Sequence, residues 1–227
     1  MTGSLSTNVI AERIRRIQQT LPDSVRLIAV TKQVPVEAIR FAYEAGLRDF
    51  GESRIQEAAE KQAKLHDLPN ITWHLIGHLQ SNKVNKALDH FQWIHSLDSL
   101  KLAQRIDTLA ATLGTKPNVL LQVKVLPDPT KYGWTVDDLL SDLPALDQCC
   151  NINIVGLMAI PPYGLSSTET LAVFNRTREL AEKIRQQDWL HITMQHLSMG
   201  MSEDYPLAVQ AGATMIRPGR ILFGERG

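Results

Sequence analysis

The sequence predicts an α/β fold: a single (β/α)8 TIM-type barrel over residues 1–227, with an extra helix at its N-terminus. Three observations predict it. Short apolar runs alternate with segments long enough for a helix, the pattern of a parallel sheet. Counted from Val25 there are eight such runs in about 200 residues, which suits a compact barrel. No G-x-G-x-x-G follows the first run, so the rival open, doubly wound sheet loses its main signature. No linker or low-complexity segment divides the chain.

The elements follow in order. Ile10, Ile14, Ile17 and Leu21 recur at helical spacing, and Pro22 ends that opening helix. Residues 25–30 then read as a strand. After Pro35, Val36 to Ala45 reads as a helix closed by Gly46. Further strands are expected at 49–50, 72–76, 93–95, 119–125, 152–160, 194–197 and 214–216, the first and last of these short and only weakly signalled. Val173, Phe174, Leu180, Ala181 and Ile184 share one face of a long helix, with Asn175, Glu179, Glu182 and Gln186 opposite. Ser53-Arg54-Ile55-Gln56 has the capping-box pattern, and Thr135 stands three residues before Asp138.

Composition narrows the function classes. Of 227 residues 44% are hydrophobic, enough for a sizeable core. Lys+Arg and Asp+Glu total 24 each, so a formal net charge of +0 argues against a general nucleic-acid binder. The two cysteines, Cys149 and Cys150, are neighbours at an expected helix end, which excludes a disulfide framework and a Cys-rich metal site. No apolar run approaches the roughly 18 residues of a membrane span, and no signal peptide is visible. The expectation is a soluble, cytoplasmic protein, and nothing demands more than a monomer.

In a barrel the chemistry sits at the C-terminal ends of the strands. The first strand ends at Lys32, where partial desolvation lowers an amine's pKa and frees it for imine chemistry. A surface lysine in a loop is the plain alternative. At the last two strand ends Ser198, Gly200 and Gly219, with the start of the Ile221–Gly224 turn, offer hydroxyl and backbone N–H donors suited to a phosphate. Turn glycines are the plain alternative there. Taken together, a Schiff-base lysine facing a phosphate cradle suggests pyridoxal 5′-phosphate (PLP), with Arg217 as partner of the ring nitrogen. His74 and His78 lack the H-E-x-x-H glutamate and read as structural, so no metal site is expected. Arg176 to Lys183 reads as a solvated helix face, and Trp73, Trp93, Trp134 and Trp189 as packing.

The segments Ala29-Val30-Thr31-Lys32, Phe50-Gly51-Glu52, His74 through Lys83, His95-Ser96-Leu97-Asp98, Gly156-Leu157-Met158 and Leu197 through Asp204 resemble the YggS/PROSC family of pyridoxal phosphate homeostasis proteins. The closing Arg217 through Gly224 matches in part. What the resemblance implies is one barrel like the N-terminal domain of alanine racemase, with PLP as an aldimine on Lys32. It also implies a phosphate held by Ser198 and the backbone at Gly219 and Arg220, and Arg217 at the pyridine nitrogen. The chain departs from the family pattern at Ser53, Lys124, Pro218 and Arg220. Lys124 brings a second amine toward the mouth.

Three functions compete: a PLP carrier or regulator in cofactor homeostasis, a PLP-dependent amino-acid racemase or decarboxylase, and a PLP-independent Schiff-base aldolase. Relatives that racemise or decarboxylate carry a second β-domain, for which this chain has no room. No tyrosine is obviously placed as an acid/base opposite the lysine. A guanidinium cannot keep the ring nitrogen protonated, which weakens the ring as an electron sink. The aldolase reading does not explain Arg217. The carrier is the expectation, with PLP and amino acids as its small-molecule partners.

Overall fold

In the computed structural model, which describes residues 7–225, an amphipathic helix α1 (Thr7–Gln18) precedes the barrel and buries Ile10, Ile14 and Ile17. It stops short of Pro22, because Thr20 and Leu21 turn tightly back onto Ile17 and Gln18. The apolar run that follows forms two strands, β1 (Arg26–Leu27) and β2 (Ala29–Val30), not one. The split reflects a change of partner: β1 pairs with the last strand and β2 with the next one along the chain.

The remaining elements alternate as the sequence predicts: α2 (Val36–Glu44), β3 (Asp49–Glu52), α3 (Ile55–Lys64), β4 (Thr72–Leu75), α4 (Val84–His90), β5 (Trp93–Leu97), α5 (Leu100–Leu113) and β6 (Asn118–Lys124). Then come β7 (Trp134–Thr135), α6 (Val136–Leu146), β8 (Asn153–Met158), α7 (Ser167–Arg185), β9 (Ile192–Ser198), α8 (Tyr205–Gln210), β10 (Met215–Ile216) and α9 (Arg220–Phe223). All strand pairings are parallel, in the order β1-β10-β9-β8-β6-β5-β4-β3-β2. Across the seam Ile28 N–H donates to Ile216 O and Val30 N–H to Pro218 O, both at 2.9 Å, so the ring closes as a barrel. The short β7 lies off this path and pairs with β6 only.

Strand alternation sorts the core in two. Ala29, Phe50, Leu75, Ile94, Val119, Leu121, Ile154 and Leu197 face outward into the large cluster shared with the helices. Ile28, Trp93, Leu120, Met158 and Met215 form a separate cluster with no helix residue in it, which is the barrel's interior. His74 and His95 alternate with Leu75 and Ile94, so both belong to that interior and are wholly buried.

Caps are partly as expected. Thr135 accepts from Asp138 N–H at the start of α6, and Gly46 at φ +98 follows α2. At α3 the N-cap is Arg54 with no side-chain cap, so the pattern at Ser53 forms no capping box. One the sequence reading passed over does form, between Ser166 and Glu169 at α7. Cys149 and Cys150 lie in the turn beyond α6 and form no disulfide; burial pushes the Cys149 thiol up to about 11. Among the described residues no helix is long and apolar enough to cross a membrane.

Candidate functional site

A cavity of about 490 Å³ opens at the C-terminal ends of the strands, within the range of small-molecule sites. Val30, Ile76, Ile160 and Met201 give it apolar walls, and Lys32, Ser202, Arg217, Gly219 and Arg220 bring donor groups, with Ser53 and the carboxylates of Glu203, Asp204 and Glu225 completing the lining. Lys32 is half-buried, two residues past the end of β2 and next to the buried Thr31. Arg217 is 4% exposed, and burial holds its guanidinium down to about 10. Its Nη1 donates to Ser198 Oγ at 2.6 Å and its Nη2 to Ala159 O at 3.2 Å. Both acceptors are neutral, so its charge meets no carboxylate in direct contact there.

The residues expected at a phosphate divide. Gly219 and Arg220 line the cavity, and the Arg220 side chain pairs with Glu203 and Glu225, which line it too. Ser198 is fully buried, with its hydroxyl between Arg217 and His95 Nδ1 at 2.7 Å. The hydroxyl beside Gly219 belongs to Ser202, which accepts from Gly219 N–H at 3.1 Å and Ile221 N–H at 3.2 Å. Gly200 at φ +92 turns the chain between these two serines, and that turn separates their roles. An L side chain at that position would be strained, which is the signal for Ser202 that the sequence reading did not use.

Lys32 is clamped on both flanks by groups that spacing alone did not single out. Lys61 on α3 donates to Thr31 O at 2.6 Å, to Glu52 Oε1 at 2.8 Å and to Glu57 Oε1 at 2.6 Å. Glu57 Oε1 also accepts from Gln33 N–H, and Gln33 sits at φ +59. Thr31 Oγ1 donates to Glu52 Oε1 at 2.6 Å. Glu52 is 0% exposed; burial raises its pKa, against the pull of Lys61 and Thr31, and its Oε2 has no partner. The signal was the i, i+4 pair Glu57–Lys61 on one helix face.

The remaining candidates lie apart from the cavity. Lys124 folds back toward Asp128 O at 3.4 Å. Lys83 is exposed in the turn before α4. His78 bonds Asp98 at 2.9 Å and stacks on Tyr132 at 3.6 Å between ring centres. His74 does not share its surroundings: it is buried, with Nδ1 3.0 Å from His95 Nε2 and Nε2 2.9 Å from Asp49 Oδ1. Burial lowers the pKa of both His74 and His95, that of His95 well below the usual range. Trp73, Trp93 and Trp134 are buried packing residues, and Trp189 packs partly buried at the rim of the core.

The family described as alanine racemase, N-terminal domain, matches residues 5–227. A pyridoxal phosphate homeostasis protein of Synechocystis sp. is 52% identical over 207 residues, covering 91% of this chain and 94% of the relative. The structure of PipY from Synechococcus elongatus PCC7942, solved with PLP bound, superposes at a TM-score of 0.91 with 53% identity, over 95% of this chain and all of that one. An alanine racemase of Clostridium difficile shares the fold at a TM-score of 0.77 and 17% identity, and this chain spans 57% of its length. With a matching barrel, a family model that spans residues 5–227 and identity above half to such relatives, the chain belongs to the pyridoxal phosphate homeostasis proteins of the alanine racemase N-terminal-domain family.

Proposed function

We propose that the protein binds pyridoxal 5′-phosphate at the barrel mouth and acts in PLP homeostasis as a carrier or regulator, not as a fast amino-acid enzyme. The observation that carries this reading is the meeting, in one cavity, of an amine, a buried guanidinium and a hydroxyl–amide cluster. That donor set suits the cofactor part by part. Lys32 meets an aldehyde, Arg217 offers N–H donors to a ring nitrogen, and Ser202 with the backbone at Gly219 and Arg220 receives a phosphate. Ser198 serves by holding Arg217. The apolar walls at Val30, Ile76, Ile160 and Met201 accommodate an aromatic ring. The PLP-bound PipY structure and the names of the relatives support the same reading.

Pyridoxal 5′-phosphate, when bound, supplies an aldehyde that condenses with amines and a ring that withdraws electrons. The chain's own residues hold it without driving that chemistry. Arg217 donates hydrogen bonds but gives up no proton near neutrality, so the ring stays a weak electron sink. The cavity is open to solvent through its mouth, so charge developing there is stabilised less than in a closed site. With the aldehyde held at Lys32 in an open mouth, an amino-acid amine would be able to compete with Lys32 for it, which would suit handing the cofactor on. The same reading places the protein in the cytoplasm as a monomer.

Borohydride reduction of the PLP-loaded protein followed by peptide mass analysis is the test. The cofactor mass is expected on the peptide containing Lys32, and its appearance on Lys124 or Lys83 overturns the site. Incubation with L- and D-amino acids tests the carrier half. Turnover of any of them in the usual enzymatic range, about 1–10³ per second, would overturn it.

A further inference from the structure

Five polar side chains form one line through the barrel interior, from Asp49 at the start of β3 to Arg217 at the cavity. Asp49 Oδ1 meets His74 Nε2 at 2.9 Å, His74 Nδ1 meets His95 Nε2 at 3.0 Å, His95 Nδ1 meets Ser198 Oγ at 2.7 Å, and Ser198 Oγ meets Arg217 Nη1 at 2.6 Å. His74, His95 and Ser198 are 0% exposed, and the cofactor reading gives the two histidines no task.

The two ends fix the direction of every bond between them. A guanidinium only donates and a carboxylate only accepts. Asp49 therefore accepts a hydrogen bond from His74 Nε2–H, which makes Nδ1 of the neutral ring an acceptor. His95 then donates from Nε2 and accepts at Nδ1, so the Ser198 hydroxyl donates to His95 while accepting from Arg217. Neutral rings suit the surroundings. Arg217 and Arg26 are the cations nearest the line, Arg26 lying 3.7 Å from Asp49 and 5.2 Å from the centre of Trp93, while His196 meets that ring edge-on. Any added proton on His74 or His95 would be buried beside them.

We propose that His74 and His95 are positioning residues for Arg217, acting through Ser198 as a hydrogen-bond chain of fixed direction that aims the guanidinium at the cavity and passes no proton to it. Every donor points away from the cavity toward Asp49. Reversing the line would require Ser198 to donate to Arg217, which has no acceptor. The line thus gives the cavity a fixed donor and contributes no acid of its own. The cofactor half of this proposal rests on the reading above; the tautomers do not.

The test has two arms. Long-range ¹⁵N–¹H spectra of the histidine-labelled full chain, recorded without PLP, read the tautomers directly. Both His74 and His95 are expected as neutral Nε2–H forms. An Nδ1–H tautomer or a charged ring at either position overturns the proposal whether or not PLP binds. The second arm compares His95→Leu with His95→Gln, the latter keeping one donor and one acceptor. His95→Leu is expected to lose the slowly rotating Arg217 Nη–H signals and to weaken PLP binding about tenfold, the worth of one hydrogen bond to a charged group. His95→Gln is expected to keep those signals and stay within about threefold of the parent. Arg217 signals and affinity unchanged in a folded His95→Leu variant would overturn the positioning role. If His95→Leu does not fold, loss of the Arg217 signals in a folded His95→Gln variant overturns it too.

Discussion

Lys61→Met tests whether one buried cation holds the strand end that carries Lys32. The Lys61 side chain is 8% exposed and that of Glu52 0%. Breaking a buried pair by removing one partner costs about 3–5 kcal/mol, since the other charge is left uncompensated. Glu52 can escape by taking up a proton. From an ordinary glutamate value near 4.3, at 1.36 kcal/mol per unit, that escape costs about 3.7 kcal/mol at pH 7 and about 1 kcal/mol at pH 5. Burial already raises the Glu52 pKa with Lys61 present, and without it the value climbs further. A group that binds its proton more tightly when folded adds stability below its unfolded value and loses it as pH rises toward its folded value. The deficit of Lys61→Met should therefore grow from about pH 5 to pH 7, by up to roughly 2.7 kcal/mol, and Lys61→Met with Glu52→Gln should recover most of it. Urea unfolding at pH 5, 6 and 7 measures this. A deficit below about 1 kcal/mol that does not change with pH would refute the reasoning, because it would mean that Glu52 carries no charge for Lys61 to hold.

The barrel was legible because the strands are short apolar runs in strict alternation with amphipathic helices, and that pattern survives without knowledge of any contact. Lys32 and Arg217 were legible at the mouth from their place just after apolar strand ends, although the same position at Lys124 leads the side chain away from the cavity. The sequence does not display what depends on distance across the barrel. Asp49, His74, His95 and Ser198 lie on four different strands and Arg217 directly follows a fifth, and only closure of the ring sets them in line. The Glu52–Lys61 pair joins a strand to the helix after it, and no apolar period marks it. Local errors had local causes. Ser53 fits the capping-box spelling, but the chain starts α3 one residue later and sends Ser53 to the cavity wall. The first strand reads as one run because its sequence cannot show that its two halves serve different neighbours.

Further expectations concern packing, capping and the phosphate. A Cβ at Gly156 would stand 1.8 Å from His196 O, a backbone atom that cannot swing away. Gly156→Ala should therefore cost at least about 3 kcal/mol by forcing β8 from β9, read as a fall of roughly 6–12 °C in Tm. Ser166→Ala removes the α7 capping box and should cost about 1 kcal/mol, or roughly 2–4 °C. The last concerns Ser202, whose Oγ already accepts from Gly219 N–H and Ile221 N–H. With two amides donating to it, the hydroxyl keeps its own proton to give, and a phosphate beside Gly219 is the acceptor that the proposed function brings. Such a bond to a charged group contributes roughly 1.5–3 kcal/mol, so Ser202→Ala should weaken PLP binding about tenfold or more in an absorbance titration. Ser198→Ala, by contrast, breaks the support of Arg217 and should disturb the ring end of the cofactor, leaving inorganic phosphate competition as in the parent. If Ser202→Ala binds PLP unchanged while Ser198→Ala abolishes the competition by phosphate, the phosphate lies at Ser198 and the assignment to Ser202 is wrong.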